Sequence, residues 1–277
     1  MSDFLNNVKK LRELTGISII DCKKALLESN NDVDLAVIYL RKSGASIMES
    51  KSNRQANNGV ISIFIDESKH DGVMLEVNCE TDFVAKSSDF LDYVDKLCKY
   101  FVSNDFLGKN FIMNDDKIVL NKELNDLKID LILKLRENLI LKRVVKFFSQ
   151  SNFLFSYLHF DNKLGVILNI DKDDNFLAKE ILIQIASMKP KYLNIFNIPE
   201  DELLSEKQIS FDKLKNKYPE KSLDLLTKMV DGQINKFYSD NVLLEQDFVK
   251  DNKKKLKQVI ASRCNIISFT TFCLGNS

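Results

Sequence analysis

Two kinds of hydrophobic pattern divide the chain. Up to about residue 45 the apolar residues recur at helical spacing, which predicts three short helices. From Gly59 onward the apolar residues alternate with polar ones, and residues 60–65 and 73–77 predict a β-hairpin around a polar turn. Helical spacing returns over residues 88–102 and about 121–137, and residues 138–148 alternate as a third strand. The pattern predicts an α+β protein.

Local signals at the helix ends mark a first domain. Gly16 ends the first predicted helix, and Ser18 with Asp21 three residues later resembles a capping box for the second. The third helix is expected to end at Gly44. Residues 46–58 are mostly polar and read as a linker. We therefore predict a small three-helix domain, linker included, over residues 1–54.

The strand–turn–strand–helix pattern occurs a second time. Residues 153–159 and 165–170 predict another hairpin, followed by a polar turn and a helix. Aligning Gly72 with Gly165 gives an offset of 93 residues (165 − 72), which places Phe83 on Phe176 without a gap. We interpret this as a diverged duplication. It predicts two related lobes with small antiparallel sheets, residues 55–149 and 150–277.

The second lobe contains a helical insertion. Residues 200–218 and 220–237 both show apolar residues at helical spacing, and Pro219 separates them. Two amphipathic helices joined at a proline predict a helical hairpin at about 200–237. Its role is open at this point, because the hairpin is either a scaffold packed on the lobe or an arm for contact with a partner.

One segment, residues 73–86, combines an apolar strand with a polar helix start. Thr81 is a plausible N-cap, and Asp82 places negative charge at the positive end of the new helix. Phe83 follows in the first turn. Most phenylalanines lie in the core, so a buried Phe83 is the ordinary interpretation. An exposed Phe83 would instead be an anchor for a partner's pocket, because aromatic anchors dominate interface energetics.

Composition and charge exclude several function classes. Lys and Arg number 40, as do Asp and Glu, so the 277-residue chain has no net charge. General nucleic-acid binding needs a basic excess, so no direct nucleic-acid partner is expected. No apolar run approaches the length that spans a bilayer, and the first residues lack a signal-peptide core. We expect a cytoplasmic protein without a membrane partner.

Few residues offer chemistry. The five cysteines form no C-x-x-C pair, which predicts reduced thiols rather than a metal site. The chain has two histidines and no glycine-rich phosphate loop, so no cofactor and no small-molecule substrate of its own are expected. Three function classes remain: a protein-docking regulator, a hydrolase or transferase using Cys79 and carboxylates, and an adaptor whose first domain binds a ligand.

Three stretches carry a resemblance to a known family. Residues 76–85 read EVNCETDFVA, residues 8–45 read VKKLRELTGISIIDCKKALLESNNDVDLAVIYLRKSGA, and residues 228–251 contain KMVDGQINKF and LLEQDFVKD. These strings resemble the bacterial elongation factor Ts family, and the likeness extends over almost the whole chain. Two positions depart from the family pattern, since Ile17-Ser18 follows Thr-Gly and Asp247 replaces a proline.

The resemblance implies a fold and a non-enzymatic function. It implies an N-terminal ubiquitin-associated-like docking domain, two lobes and a coiled coil at the helical hairpin. It also implies a guanine-nucleotide exchange factor that binds elongation factor Tu, disturbs the Mg²⁺ and phosphate site of that GTPase and promotes GDP release. The Mg²⁺ is the partner's ion, so no metal ligand is expected in this chain.

The resemblance also assigns residues to the contact. Carried over by position, Thr81 caps the turn, Asp82 meets polar groups, Phe83 is the wedge and Val84 packs behind it. Secondary partner contacts are implied for the residues Arg12, Ile19, Ile20, Lys23 and His159. For His159 an ordinary histidine at a strand end is an equally good interpretation of the sequence. Only Phe83 sits in the complete Thr-Asp-Phe-Val string. We therefore expect Phe83 to be exposed and Phe176, its counterpart at the offset of 93, to lie in the core.

Overall fold

The computed structural model describes residues 2–104, 111–114 and 118–275. The chain divides into two compact units. The first unit comprises Met1–Phe148, Leu158–Gly165 and Phe272–Ser277, and the second comprises Ser149–Tyr157 and Val166–Thr271. The chain contains both helices and small antiparallel sheets, which confirms the predicted α+β class. The finer domain boundaries stay predictions.

Three helices open the first unit: α1 (Ser2–Thr15), α2 (Ile19–Glu28) and α3 (Val33–Lys51). Ser18 caps α2 by accepting a hydrogen bond from the Asp21 amide, which confirms the predicted cap. Gly16 has a φ of +68° after α1, a conformation that glycine adopts without strain. The buried side chains of this bundle are Val8, Leu11, Ile17, Cys22, Ala25, Leu26, Ala36 and Leu40.

The predicted end of the third helix at Gly44 is wrong. Helix α3 continues through Gly44 to Lys51, so the first six residues of the expected linker, 46–51, are helical. The reason is tertiary. A Cβ atom at position 44 would lie 2.6 Å from Ile129 Cγ2 and 2.7 Å from Leu133 Cδ1, on the later helix α6 (Lys122–Leu135). Gly44 therefore permits close packing of two helices, and it does not terminate one.

Strands β1 (Asn58–Ile65), β2 (Asp71–Cys79), β3 (Phe111–Asn114) and β4 (Ile140–Phe148) form a sheet with the order β1-β2-β4-β3. All neighbouring strands in it are antiparallel, and the predicted hairpin pairs Val60 with Val77. Strand β3 was not predicted. Strand β2 is buried from Gly72 to Cys79, and this buried stretch includes the polar residues Glu76 and Asn78 as well as the apolar ones.

Two helices follow β2 in the first unit. The single-turn helix α4 (Asp82–Ala85) comes directly after the strand, and α5 (Ser88–Ser103) packs its apolar stripe on the sheet. Phe90, Leu97 and Phe101 on α5 are fully buried together with Val73 and Leu75. The core of this unit therefore lies between the sheet and α5, and it supports the turn between β2 and α4 from below.

Strands β5 (Phe153–Leu158), β6 (Leu164–Ile170) and β9 (Ile266–Cys273) form a three-stranded sheet, whose strand ends at Leu158, Leu164–Gly165 and Phe272–Cys273 belong to the first unit and whose remainder belongs to the second unit. The helices of the second unit are α7 (Asn175–Met188), α8 (Glu200–Lys217), α9 (Leu223–Asn241) and α10 (Leu256–Ile260), and β7 (Asp247–Phe248) pairs with β8 (Asp251–Lys255). Helices α8 and α9 pack on each other through Leu214, Leu226, Val230 and Ile234. None of the helices in the described residues is long and apolar enough to cross a bilayer.

Candidate functional site

A tight turn presents Phe83 at the end of strand β2. Thr81 has extended backbone angles, and its hydroxyl accepts a hydrogen bond from the Val84 amide at 3.4 Å, which makes it the N-cap of α4. Phe83 is 83% exposed, whereas Val84 and Ala85 are buried. Residues two positions apart on a helical turn point to nearly opposite sides, so the burial of Ala85 turns Phe83 outward.

The turn is anchored from inside. Val84 and Ala85 belong to the core cluster that includes Phe90 and Cys79. The Cys79 thiol donates to the Thr81 carbonyl with an Sγ–O distance of 3.1 Å. Burial, reinforced by the nearby Glu137 carboxylate, raises the pKa of Cys79 to about 12. The thiol is therefore neutral at physiological pH, which argues against a nucleophilic role for Cys79.

The exposed side of the turn carries a charged pair. Asp82 Oδ2 lies 3.0 Å from Lys86 Nζ, one helical turn further on. The hydrogen bond from the Lys86 ammonium lowers the pKa of Asp82 below its ordinary value. Asp82 is thus ionised at neutral pH and beside an apolar ring, a combination suited to a protein surface with one apolar slot and polar groups around it.

A cleft lies beside the turn within the first unit. It has a volume of about 360 Å³, and Asp82, Lys86, Phe160, Asn162 and Lys163 are among its lining residues. The last three belong to the tip of the β5–β6 hairpin, and the Ile61 amide donates to the Asn162 carbonyl at 2.7 Å. Phe160 is 90% exposed. The cleft therefore has an apolar ring and charged groups on its rim.

The secondary positions fall into two groups. Arg12, Ile19, Ile20 and Lys23 are exposed on α1 and α2, and none of them lines the cleft. His159 is half-buried at the hairpin tip, with its ring centroid 4.5 Å from that of Phe160. The structure thus brings His159 next to Phe160, which lines the cleft beside the turn, whereas the four exposed residues on the first two helices are outside the cleft lining.

The second unit repeats the local geometry of the turn. Asp174 lies 93 residues after Thr81 (174 − 81) and caps α7 by accepting from the Leu177 amide at 2.9 Å. Leu177 and Ala178 are buried like Val84 and Ala85, and Phe176 is 66% exposed. The prediction that Phe176 lies in the core is wrong. The shared cap turns this second ring outward as well, where Lys250 Nζ lies 5.4 Å from its centroid.

The described residues hold no grouping of three or more histidine, cysteine or acidic side chains that could bind a metal ion. All five cysteines are free thiols, and four of them are buried. What the site presents is an exposed ring, a charged pair and a rigid backbone. An exposed aromatic ring beside charged groups is typical of protein-docking surfaces, and the groups of this turn are not arranged as a nucleophile with a base and an orienting residue.

Comparison with known proteins agrees with this description. The family model described as "Elongation factor TS" matches residues 80–276. The chain belongs to the elongation factor Ts family. It is 34% identical to elongation factor Ts of Aquifex aeolicus, over 99% of this chain and 97% of the relative. It is also 36% identical to that of Clostridium botulinum strain Alaska E43, over 92% and 84% of the two chains.

Membership of the elongation factor Ts family identifies a translation elongation factor that exchanges nucleotide on elongation factor Tu. Exchange is a binding process and not a chemical reaction, so the hydrolase or transferase alternative loses its support. The adaptor alternative concerns only the first 45 or so residues, whereas the likeness to relatives extends over nearly the whole chain.

Two residues at the site were missed by sequence reasoning. Phe160 falls between the predicted strands 153–159 and 165–170, and a phenylalanine at a hairpin tip has little to pack against, which is itself a signal of exposure. Glu137 accepts hydrogen bonds from Glu80 and Thr81, which lie more than fifty residues away in sequence. No local pattern points to a contact of that range.

Proposed function

We propose that this chain releases GDP by inserting the turn Thr81–Val84 into elongation factor Tu. Phe83 enters an apolar slot of the GTPase, and the resulting shift removes support from the Mg²⁺ that bridges protein and phosphates. The observation that carries this proposal is the 83% exposure of Phe83 on a capped, core-anchored turn. Asp82 contacts polar groups at the slot, and Val84 supports the ring from behind.

Binding and release are linked thermodynamically. A factor that binds the nucleotide-free GTPase more tightly than the nucleotide-bound form must weaken nucleotide affinity by the same ratio. A buried aromatic side chain removes about 150–200 Å² of surface from water. Most of the Phe83 surface is exposed in the free protein and can therefore be buried on binding. At about 25 cal/mol per Å², its insertion contributes up to about 4 kcal/mol. Only the part of this energy that is gained in the nucleotide-free complex and not in the nucleotide-bound one weakens nucleotide affinity.

The remaining contacts supply attachment. We propose that the first three helices act as a ubiquitin-associated-like domain that docks on the GTPase through Arg12, Ile19, Ile20 and Lys23. All four are exposed, and Ile20 is 79% exposed. His159 at the hairpin tip adds a contact beside the turn, and the α8–α9 hairpin acts as a coiled-coil arm. Several separate contacts raise the effective concentration of the wedge at its slot.

The test is release of fluorescent GDP from elongation factor Tu, with and without this protein. Phe83→Ala is expected to slow the stimulated release about 30-fold or more, the equivalent of about 2 kcal/mol. Its unfolding free energy should fall by only about 1 kcal/mol or less, because about one-sixth of the ring is buried. Release that Phe83→Ala stimulates as well as the wild type does would contradict the proposal.

Phe176→Ala is the matched control. It removes the same ring from the equivalent capped turn of the second unit, where the Thr-Asp-Phe-Val string is absent. We expect it to keep wild-type exchange. A loss of exchange in Phe176→Ala equal to that in Phe83→Ala would show that the complete string is not what distinguishes the two turns.

A further inference from the structure

The carboxylate of Glu137 holds the start of the turn that carries Phe83. Its Oε2 atom accepts from the backbone amides of Glu80 at 3.0 Å and Thr81 at 2.9 Å. Its Oε1 atom accepts from the Thr81 hydroxyl at 2.5 Å. In return, Glu80 Oε1 accepts from the Asn138 amide at 2.7 Å. The two segments are thus joined by reciprocal charge-assisted hydrogen bonds, which are stronger than neutral ones.

The turn needs this external support. Helix α4 has only four residues, far below the length at which a helix is stable by itself. The cap from Thr81 to the Val84 amide is long at 3.4 Å. Because the Thr81 hydroxyl donates its proton to Glu137, its lone pairs are directed toward Val84. Glu137 therefore fixes both the backbone before the turn and the orientation of the capping group.

Glu137 itself sits on a rigid connection. Helix α6 ends at Leu135, and Arg136 adopts a left-handed conformation whose amide donates to the Ile132 carbonyl. The Arg136 guanidinium donates to Asp21 on α2, and its carbonyl accepts from Lys51 at the end of α3. The three-residue segment 136–138 thus contacts the first helices and the turn at once.

We propose that Glu137 is a positioning residue for nucleotide exchange, which orients the turn Thr81–Val84 so that the Phe83 ring is presented to the GTPase. The inference rests on the function proposed above for Phe83. It adds that the wedge is held in place by a carboxylate from the α6–β4 connection, and that segment 136–138 sets its position relative to the docking helices. Glu137 does not itself need to touch the partner.

The test is a double-mutant cycle on stimulated GDP release with the full chain and elongation factor Tu. Glu137→Ala is expected to lower the maximal release rate about tenfold, with little change in the half-saturating concentration, because docking through the first helices remains. In the Phe83→Ala background the same change should have no further effect, because there is no ring left to position. Glu137→Gln, which keeps one accepting oxygen, should fall between Glu137→Ala and the wild type.

Glu245→Ala is the matched control. This carboxylate of the second unit also accepts three hydrogen bonds, one from Lys255 at 3.1 Å and two from Lys257 at 2.8 and 2.9 Å. Its removal should lower stability and leave the maximal release rate unchanged. Amide hydrogen exchange of residues 76–86 gives a direct readout, which should become faster in Glu137→Ala and stay as in the wild type in Glu245→Ala.

The possible failures are distinguishable. A wild-type protein that does not accelerate GDP release would overturn the proposed function and this inference together. If Phe83→Ala is slow while Glu137→Ala matches the wild type, the proposed function stands and the positioning role is wrong. A tenfold loss of the maximal release rate on Glu137→Ala that persists in the Phe83→Ala background would also overturn the positioning role. Glu137 would then affect release without acting through the Phe83 ring.

Discussion

Removing Arg143 is expected to destabilise the first unit strongly. Glu76, the first residue of the string at 76–85, is fully buried, and its Oε2 atom lies 2.8 Å from both Nε and Nη2 of Arg143. Its Oε1 atom accepts from the Gly275 amide at 3.1 Å. Arg143 also donates to the Cys273 carbonyl and stacks on the Phe272 ring at 4.1 Å. The pair thus fastens the end of β9 to β2 and β4.

The magnitude follows from what Arg143→Met leaves behind. The ion pair with Glu76 and the hydrogen bond to the Cys273 carbonyl are lost, and hydrogen bonds to charged groups contribute about 1.5–3 kcal/mol each. Glu76 then remains buried, and of its contacts described above it keeps the hydrogen bond from the Gly275 amide. Breaking a buried pair from one side costs about 3–5 kcal/mol, mainly because the remaining charge is uncompensated. We therefore expect a loss of about 4 kcal/mol in the free energy of unfolding.

Urea denaturation followed by circular dichroism measures this loss. With a slope of about 1–3 kcal/mol per molar urea, the midpoint should fall by at least about 1 M. Arg41→Met is the matched control, because Arg41 pairs with Asp130 at 3.7 Å with both side chains about half exposed. That change should cost about 1 kcal/mol or less.

A second variant separates the buried charge from the lost packing. Glu76→Met combined with Arg143→Met removes both charges, so it should be more stable than Arg143→Met alone. The reasoning is refuted if Arg143→Met unfolds within about 1 kcal/mol of Arg41→Met, because the buried charge would then have found solvent or another partner.

Two further predictions concern stability. Gly232 lies mid-way along α9 with open space around its Cα, so Gly232→Ala should stabilise the protein by up to about 1 kcal/mol in urea unfolding. Gly44→Ala, its control within α3, should instead destabilise, because the new Cβ meets Ile129 and Leu133; equal stabilisation by both would contradict the packing role of Gly44. Burial raises the pKa of Glu245, but hydrogen bonds from Lys257 and Lys255 outweigh it and hold that pKa below its ordinary value. A carboxylate whose pKa is lower in the folded than in the unfolded protein stabilises the folded state at pH values above its unfolded pKa of about 4.3. This stabilisation is lost as the pH falls from there through the folded pKa. The stability difference between the wild type and Glu245→Gln should therefore shrink from about pH 5 to about pH 3, and a constant difference over that range would count against the pairing.

The sequence by itself determined the features that depend on near neighbours. Hydrophobic alternation predicted the β1–β2 hairpin, because both strands and their turn lie within about twenty residues. Ser18 and Thr81 were identified as caps, since a cap bonds an amide only three residues away. The string at residues 76–85 indicated the family, because its ten residues are contiguous and their likeness does not depend on contacts elsewhere in the chain.

The tertiary structure decided what depends on partners far along the chain. Gly44 looked like a helix end, but its missing Cβ serves contact with α6. Phe176 looked like a core residue, but its capped turn directs it outward. Glu137 and Arg143 carried no local signal, because their partners are brought to them only when β2 pairs with β4 and the chain reverses after α6. Caps and alternation are set by short-range geometry, whereas burial and long-range hydrogen bonds depend on which segments the folded chain places side by side.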